Sequence, residues 1–196
     1  NPALSIYLAG KQKSIGNRYM GNFYLQFDDL CTEGLSFRSQ FGSIMDYNEY
    51  KSYSPEYFIT PTQKNDISSL NQSRGQGLNW VFTNYFSYNK KVNKLNINAT
   101  LGTELQANQY SDIWATGYDV QYLGAHKDAV LFGLGGGKSE NRLESAFFRG
   151  NFSWDNKYAL TATVRLDGSS KFMPEQRWGT FPSFAGSWNI HKESFM

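Results

Sequence analysis

Two histidines, one cysteine and a glycine run ending in Lys138-Ser139 are the residues here whose types invite a chemical reading. Gly135-Gly136-Gly137-Lys138-Ser139 resembles the end of a phosphate-cradling loop. That motif, G-x-x-x-x-G-K-S/T, needs glycine at position 132, where Phe132 stands, and no strand-then-helix pattern surrounds it. A flexible loop is expected there instead. His126 and His191 lie far apart, with no cysteine or carboxylate at ligand spacing, so no metal set is expected. No serine sits in a nucleophile elbow, and two histidines give little scope for a Ser/His triad. Cys31 stands alone, which excludes an internal disulfide, and reads as a turn residue. The sequons Asn98-Ala99-Thr100 and Asn151-Phe152-Ser153 fall in strand-like stretches and carry no argument. No catalytic residue, metal ligand or cofactor site is therefore expected. Binding is what remains. Tyr47, Tyr50, Tyr53 and Tyr57, with Phe58, crowd one polar stretch, and Trp114, Tyr118 and Tyr122 another. Aromatic faces beside polar groups suit sugar rings or peptides. The competing reading is that these rings pack their own loops or contact a lid protein.

The elements that would position these residues are strands. In Tyr158–Asp167, Tyr158, Leu160, Ala162, Val164 and Leu166 point one way and Ala159, Thr161, Thr163, Arg165 and Asp167 the other. Arg18–Leu30 alternates in the same manner, with Tyr19, Gly21, Phe23, Leu25 and Phe27 on one face. Cys31-Thr32-Glu33-Gly34 reads as a tight turn into Leu35–Ile44. Asn79–Asn89 and Leu95–Leu105 form a second pair around a short turn. Glu144–Trp154 forms a third with Tyr158–Asp167 around Asp155-Asn156-Lys157, and Gly179–Ile190 is a seventh strand. Long polar stretches, Met45–Gly77 and Gln106–Arg142, separate the pairs and are expected to be loops, with a mid-length connection over Gly168–Trp178.

Composition narrows the classes. The 196 residues carry a net charge of +2, too balanced for a nucleic-acid surface, which needs a clustered basic face. Phe, Tyr and Trp make up 17% of the chain, enough for aromatic belts on a sheet. No run approaches the roughly 18 apolar residues of a spanning helix, which says nothing against a barrel. The start at Asn1-Pro2 predicts a mature product or an excised piece of something longer.

Connections that alternate short and long are the mark of outer-membrane barrels, with short periplasmic turns and longer extracellular loops. One face would meet lipid. The other, with Arg38, Glu104, Arg149, Arg165 and Asp167, would meet a wet lumen at no desolvation cost. Tyr88, Trp154 and Tyr158 near the turns fit an interfacial girdle. A soluble all-β carbohydrate-binding module and a passive porin-like channel remain alternatives on pattern alone. Seven strands is an odd number, and an open edge in hydrocarbon is very costly, so a section of a larger barrel is expected.

The run Arg165-Leu166-Asp167-Gly168-Ser169-Ser170-Lys171-Phe172, then Arg177-Trp178-Gly179 and Phe181-Pro182-Ser183, resembles a signature of SusC/RagA-type TonB-linked outer-membrane transporters. So does Trp188-Asn189-Ile190-His191-Lys192-Glu193-Ser194-Phe195-Met196, and Asn1-Pro2, Arg18–Asn22, Gly34–Phe37 and Asn84–Asn89 fit in order. Met173 and Asn189 depart from residues common in the family. The resemblance implies that residues 1–196 form a middle section of a 22-stranded antiparallel transmembrane β-barrel domain in the bacterial outer membrane. It implies a nutrient importer of glycans or peptides, with a SusD-type surface lipoprotein as partner. Energy would come from the TonB complex through a plug outside this stretch. In the signature, Arg165, Asp167, Gly168, Ser169, Arg177 and Trp178 are expected to shape a loop, with Asp167–Ser170 turning locally. Arg165 and Arg177 would brace it on Asp167 or Glu175.

Overall fold

The computed structural model describes residues 11–120, 132–193 and 195. In chain order the strands are β1 Lys11–Phe27, β2 Leu35–Ser54, β3 Tyr57–Thr60, β4 Gln63–Asn65, β5 Ser69–Val92, β6 Leu95–Tyr118, β7 Phe132–Trp154, β8 Tyr158–Ser169 and β9 Trp178–Trp188. Seven of them form one antiparallel sheet in the order β1-β2-β5-β6-β7-β8-β9, and β3 pairs with β4 in a separate hairpin. All sheet neighbours are sequential, as hairpin-by-hairpin connection requires. Among the described residues no helix is long and apolar enough to cross a membrane.

The expected alternation is what the register displays. Across β7 and β8, Trp154 pairs with Tyr158, Phe152 with Leu160, Gly150 with Ala162, Phe148 with Val164 and Ala146 with Leu166. Across β8 and β9, Leu160 pairs with Gly186, Ala162 with Phe184 and Tyr158 with Trp188. Side chains directly opposite one another share a face, so these residues make one apolar surface. Nothing in the chain covers it: Phe184 is 72% exposed and Leu160 52%. A water-soluble sheet would bury that face; a lipid-facing one leaves it bare.

Two expectations about the connections are overturned. Met45–Gly77 is not one loop, because β2 runs to Ser54 and β5 begins at Ser69. Gln106–Tyr118 continues β6, and β7 starts at Phe132, so Gly135–Ser139 lies in a strand rather than a flexible loop. Strands expected at about ten residues reach 24 in β5 and β6. The reason is physical: outside hydrocarbon both faces of a strand are wet, so the ladder persists while the alternation that marks it disappears. His126 and Tyr122 lie outside the described residues.

By contact density the described residues fall into two compact units, one of 11–19, 44–78, 109–120 and 132–140, the other of 20–43, 79–108, 141–193 and 195. In the first, Ser68 and Leu70 are buried beside Val120, and the Ser68 hydroxyl donates to the Val120 carbonyl while accepting from its N–H, both at 2.8 Å. In the second, the short turns are latched to neighbouring strands by main-chain bonds. Asn89 N donates to Gly34 O (2.8 Å), Asp155 N to Lys94 O (2.8 Å) and Asn189 N to Lys157 O (2.7 Å). Left-handed backbone at Asp29, Asn93, Asp155 and Asn156 makes these turns tight, at residues whose short polar side chains tolerate it. Gly34, at φ 85°, needs to be glycine.

Beyond β9 a short 3-10 turn over Ile190–Lys192 brings Glu193 back against the start of β8. Its carboxylate accepts from the Tyr158 hydroxyl (2.6 Å), the Trp188 indole N–H (3.1 Å) and Lys157 Nζ (3.1 Å). Those bonds, Tyr158 first and then Trp188 and Lys157, hold the Glu193 carboxyl below the usual carboxylate range. A depressed folded pKa stabilises the clasp above the unfolded value near 4.5 and is lost as pH falls through the folded value. Heat-modifiability of the full-length barrel across pH 3–7 should therefore drop at the acid end, and Glu193→Gln should flatten that drop. A profile identical in the variant would remove Glu193 from the account.

Candidate functional site

The polar face of the second unit is a connected hydrogen-bonding surface. Arg165, on β8, places its guanidinium between Asp167 Oδ1 (Nε, 2.7 Å) and Glu104 Oε1 (Nη2, 3.2 Å), and also donates to Ser145 Oγ at 3.0 Å. Period-two alternation puts Arg165 and Asp167 on one face of β8, and pairing brings Phe147 and Ser145 of β7 opposite them. The Phe147 ring lies 6.0 Å from the guanidinium carbon. Glu104 also accepts from Gln106 Nε2 (2.8 Å) and Thr83 Oγ1 (3.5 Å). Each charge thus has a partner in a partly exposed setting, where ion pairs are worth about 1 kcal/mol or less and chiefly fix geometry.

Nearer the short turns a side-chain ladder runs across four strands. Asn98 of β6 donates to Asn89 of β5, Asn151 of β7 donates to Asn98 (3.4 Å), and Thr161 of β8 donates to Asn151 (2.9 Å). On β2, Arg38 stacks its guanidinium 3.8 Å above the Tyr24 ring of β1. Its Nε is buried without a hydrogen-bond partner. The expected Arg165–Asp167 brace is present. Arg177 instead donates from Nε to the Phe172 carbonyl (3.2 Å), not to Glu175.

The signature residues differ from the expected local turn. Asp167, Gly168 and Ser169 are the end of β8, with Gly168 paired to Glu144 on one side and Trp178 on the other. The chain turns over 170–177, with Pro174–Gln176 as a single 3-10 turn. Gly168 is required for a different reason than turning. A Cβ there would lie 2.8 Å from the Trp178 ring, so the missing side chain lets the indole lie flat on the sheet.

The aromatic candidates are all in the first unit, on strands and not on loop tips. Tyr47, Tyr50 and Tyr53 are in β2, Tyr57 in β3, and Trp114 and Tyr118 in β6. Alternation divides them. Asn48 meets Gly16 on the face that carries Arg18 and Asp46, joined at 2.6 Å, so Tyr50 projects to that polar side while Tyr47 and Tyr53 project to the other. Trp114 lies against Gly133, and Thr116 bonds Asn71 at 2.7 Å, on the polar side that Tyr118 also shares. Tyr47 stands edge-on to Tyr19 at 6.3 Å and lines a groove of about 460 Å³ with Glu49 and Arg74, which none of the other five enters. Sequence reading grouped these rings by proximity in the chain; assigning them to faces required knowing that they sit in continuous strands. Among the described residues no cluster of metal-ligating side chains occurs, and no nucleophile stands beside a base.

A sheet with one bare apolar face, one hydrogen-bonded polar face and two edge strands is a section of a membrane-spanning β-barrel wall. The comparisons carry this further. No family model matches the chain. It is 27% identical over 183 residues to the TonB-dependent receptor P3 of Formosa agariphila, covering 91% of this chain and 18% of that protein. Over 58 residues, 30% of this chain and 6% of the relative, it is 50% identical to the TonB-dependent receptor SusC of Bacteroides thetaiotaomicron. The solved RagAB peptide importer in its open-open state superposes with a TM-score of 0.85 at 20% identity, over 98% of this chain and 21% of that one. The chain is a section of a SusC/RagA-type TonB-dependent transporter. It spans about a fifth of the length of the relatives that it matches along most of its own length.

Proposed function

We infer that this chain forms part of the barrel wall of an outer-membrane nutrient importer energised through TonB, with a SusD-type surface lipoprotein over its extracellular mouth. The observation that carries the reading is the pairing of a bare apolar face with a continuous polar one, joined by Arg165, Glu104 and Asp167 on one side of the same strands whose other side carries Leu160, Val164 and Phe184. Such a wall bounds a wet passage in lipid and supplies shape and hydrogen bonding, not chemistry. Its relatives are TonB-dependent receptors and a peptide importer, which supports import over catalysis. Within it, Tyr50, Trp114 and Tyr118, on the polar side, are the aromatic rings placed to meet a glycan or peptide. Tyr47 and Tyr53 face away, and Tyr57 lies on the separate hairpin.

The reading is tested by uptake of labelled oligosaccharides and of labelled peptides in cells producing the full-length protein, with and without TonB. Uptake that depends on TonB for one of the two classes is the expected result. Uptake indifferent to TonB would make the barrel a passive channel, and a full-length protein recovered monomeric in plain buffer would remove the membrane reading altogether.

A further inference from the structure

The geometry points to a binding site for the phosphorylated headgroup of a membrane lipid on the outward face of the barrel wall, built by Gly168, Arg177 and Trp178 with Arg142 and Glu144. This rests on the membrane-barrel reading above. The residues line a groove of about 520 Å³ together with Trp80 and Leu105, inside the second unit. Register fixes the face. Gly168 lies on the same side of β8 as Tyr158, Leu160, Ala162, Val164 and Leu166, and its partners Glu144 and Trp178 share that side.

Position along the strand fixes the depth. From Tyr158 to Gly168 there are ten steps of about 3.3 Å, which at a tilt near 45° span roughly 23 Å, close to the roughly 25 Å apolar band of an outer-membrane barrel. At one end stand Trp154, Tyr158 and Trp188; at the other stand Trp178 and the groove. An indole at the level of lipid headgroups is in its preferred setting. Two guanidiniums at that level are matched to phosphate, which they hold bidentately.

Three details show a built groove. The Trp178 ring lies flat because Gly168 has no Cβ, which leaves an apolar wall that an acyl chain can follow down toward Leu166 and Phe184. Arg177 is fixed by its Nε bond to Phe172 O, and its main-chain carbonyl accepts from Ser169 N at 3.0 Å, so its remaining donors are held at the rim. Ion pairs printed by distance among the described residues include none to Arg177. Glu144 supplies one negative charge against the two arginines, which disfavours lipids without a phosphate less than it favours a dianionic one. The lipid signature thus lies in the same residues that the sequence offers as a loop-shaping motif.

The test uses the full-length barrel, purified in detergent and examined by native mass spectrometry with three probes: bis-phosphorylated lipid A, the same lipid stripped of both phosphates, and inorganic phosphate. Wild type should retain the phosphorylated lipid, lose most retention with the stripped lipid, and ignore inorganic phosphate at the same concentration. Arg177→Gln should weaken retention roughly five- to tenfold, with Arg177→Lys recovering part of it. Glu144→Gln should strengthen it, which keeps a reading available if the Arg177 variant folds poorly. Equal retention by wild type and either Gln variant, or retention of phosphate alone, would overturn the site. Heat-modifiability recorded on the same samples separates the two levels: a properly inserted barrel with unaltered lipid retention loses only this site, whereas a chain that never inserts loses the barrel reading with it.

Discussion

Replacing Val164 with lysine should destabilise the full-length barrel by about 2–4 kcal/mol, while lysine at its sequence neighbour Thr163 should change stability by roughly 1 kcal/mol or less. The two positions are one residue apart, near the middle of Tyr158–Gly168, and differ in the face they occupy. Val164 pairs with Phe148 and Pro182 on the apolar side and is 39% exposed in this chain, with no protein atoms available to shield a charge. In hydrocarbon an ammonium there would have to reach the interface along about half the apolar band, which the lysine stem cannot do without thinning the bilayer. Thr163 pairs with Arg149 and Ser183 on the polar side, where an added charge meets water. Urea-induced unfolding in short-chain phosphatidylcholine bilayers would measure both. Equal costs for the two variants would mean that the face assignment is wrong, and with it the membrane reading.

The second large effect is expected at the first turn. Gly34→Ala should cost about 2–3 kcal/mol, from a left-handed backbone that an L side chain adopts at roughly 1–2 kcal/mol and a main-chain bond worth about 1 kcal/mol. The bond at stake is the 2.8 Å contact from Asn89 N to Gly34 O, because an added Cβ would press directly on the Asn89 carbonyl of the adjacent strand. That neighbour is backbone and cannot swing aside, so the turn itself must shift. Gly186→Ala is the control: the new Cβ would have its nearest neighbour at 3.9 Å, and its expected cost is well below 1 kcal/mol. Refolding yield into lipid, followed by the change in electrophoretic mobility on boiling, reads both. A Gly34 variant that refolds like the Gly186 variant would show that the latch between turn and strand contributes nothing.

What the sequence reveals about this wall depends on where each strand sits. Between Tyr158 and Leu166, or Leu35 and Phe41, one face is apolar and the other polar, and the alternation identifies strand, face and partner at once. In Asp46–Lys51 that signal vanishes. Asp46 and Asn48 lie on one side and Glu49 and Lys51 on the other, with Glu49 paired to Lys51 at 3.2 Å and to Arg74 at 3.7 Å. Charged residues on both sides read as loop, although the hydrogen-bond ladder continues to Ser54. The short turns were legible because their chemistry is local: Asp155-Asn156-Lys157 and Gly34 announce left-handed backbone by residue type. The signature at Gly168 was legible as a motif and not as a structure. Its glycine answers to Trp178, ten residues away, and only the β8–β9 register brings the two together.

The ladder Asn89–Asn98–Asn151–Thr161 solves a problem that hydrophobicity cannot. A slip of one residue between strands turns every apolar side chain to the wrong face and is rejected at once by lipid. A slip of two residues restores both faces, and to the bilayer the shifted wall is indistinguishable from the correct one. Four polar side chains in one row are not invariant under that shift, since two places along β7 from Asn151 stand Arg149 and Ser153, and two places along β8 from Thr161 stand Ala159 and Thr163. The row therefore works as a counting mark, telling two alignments apart that have the same oil–water energy but different tilt and circumference.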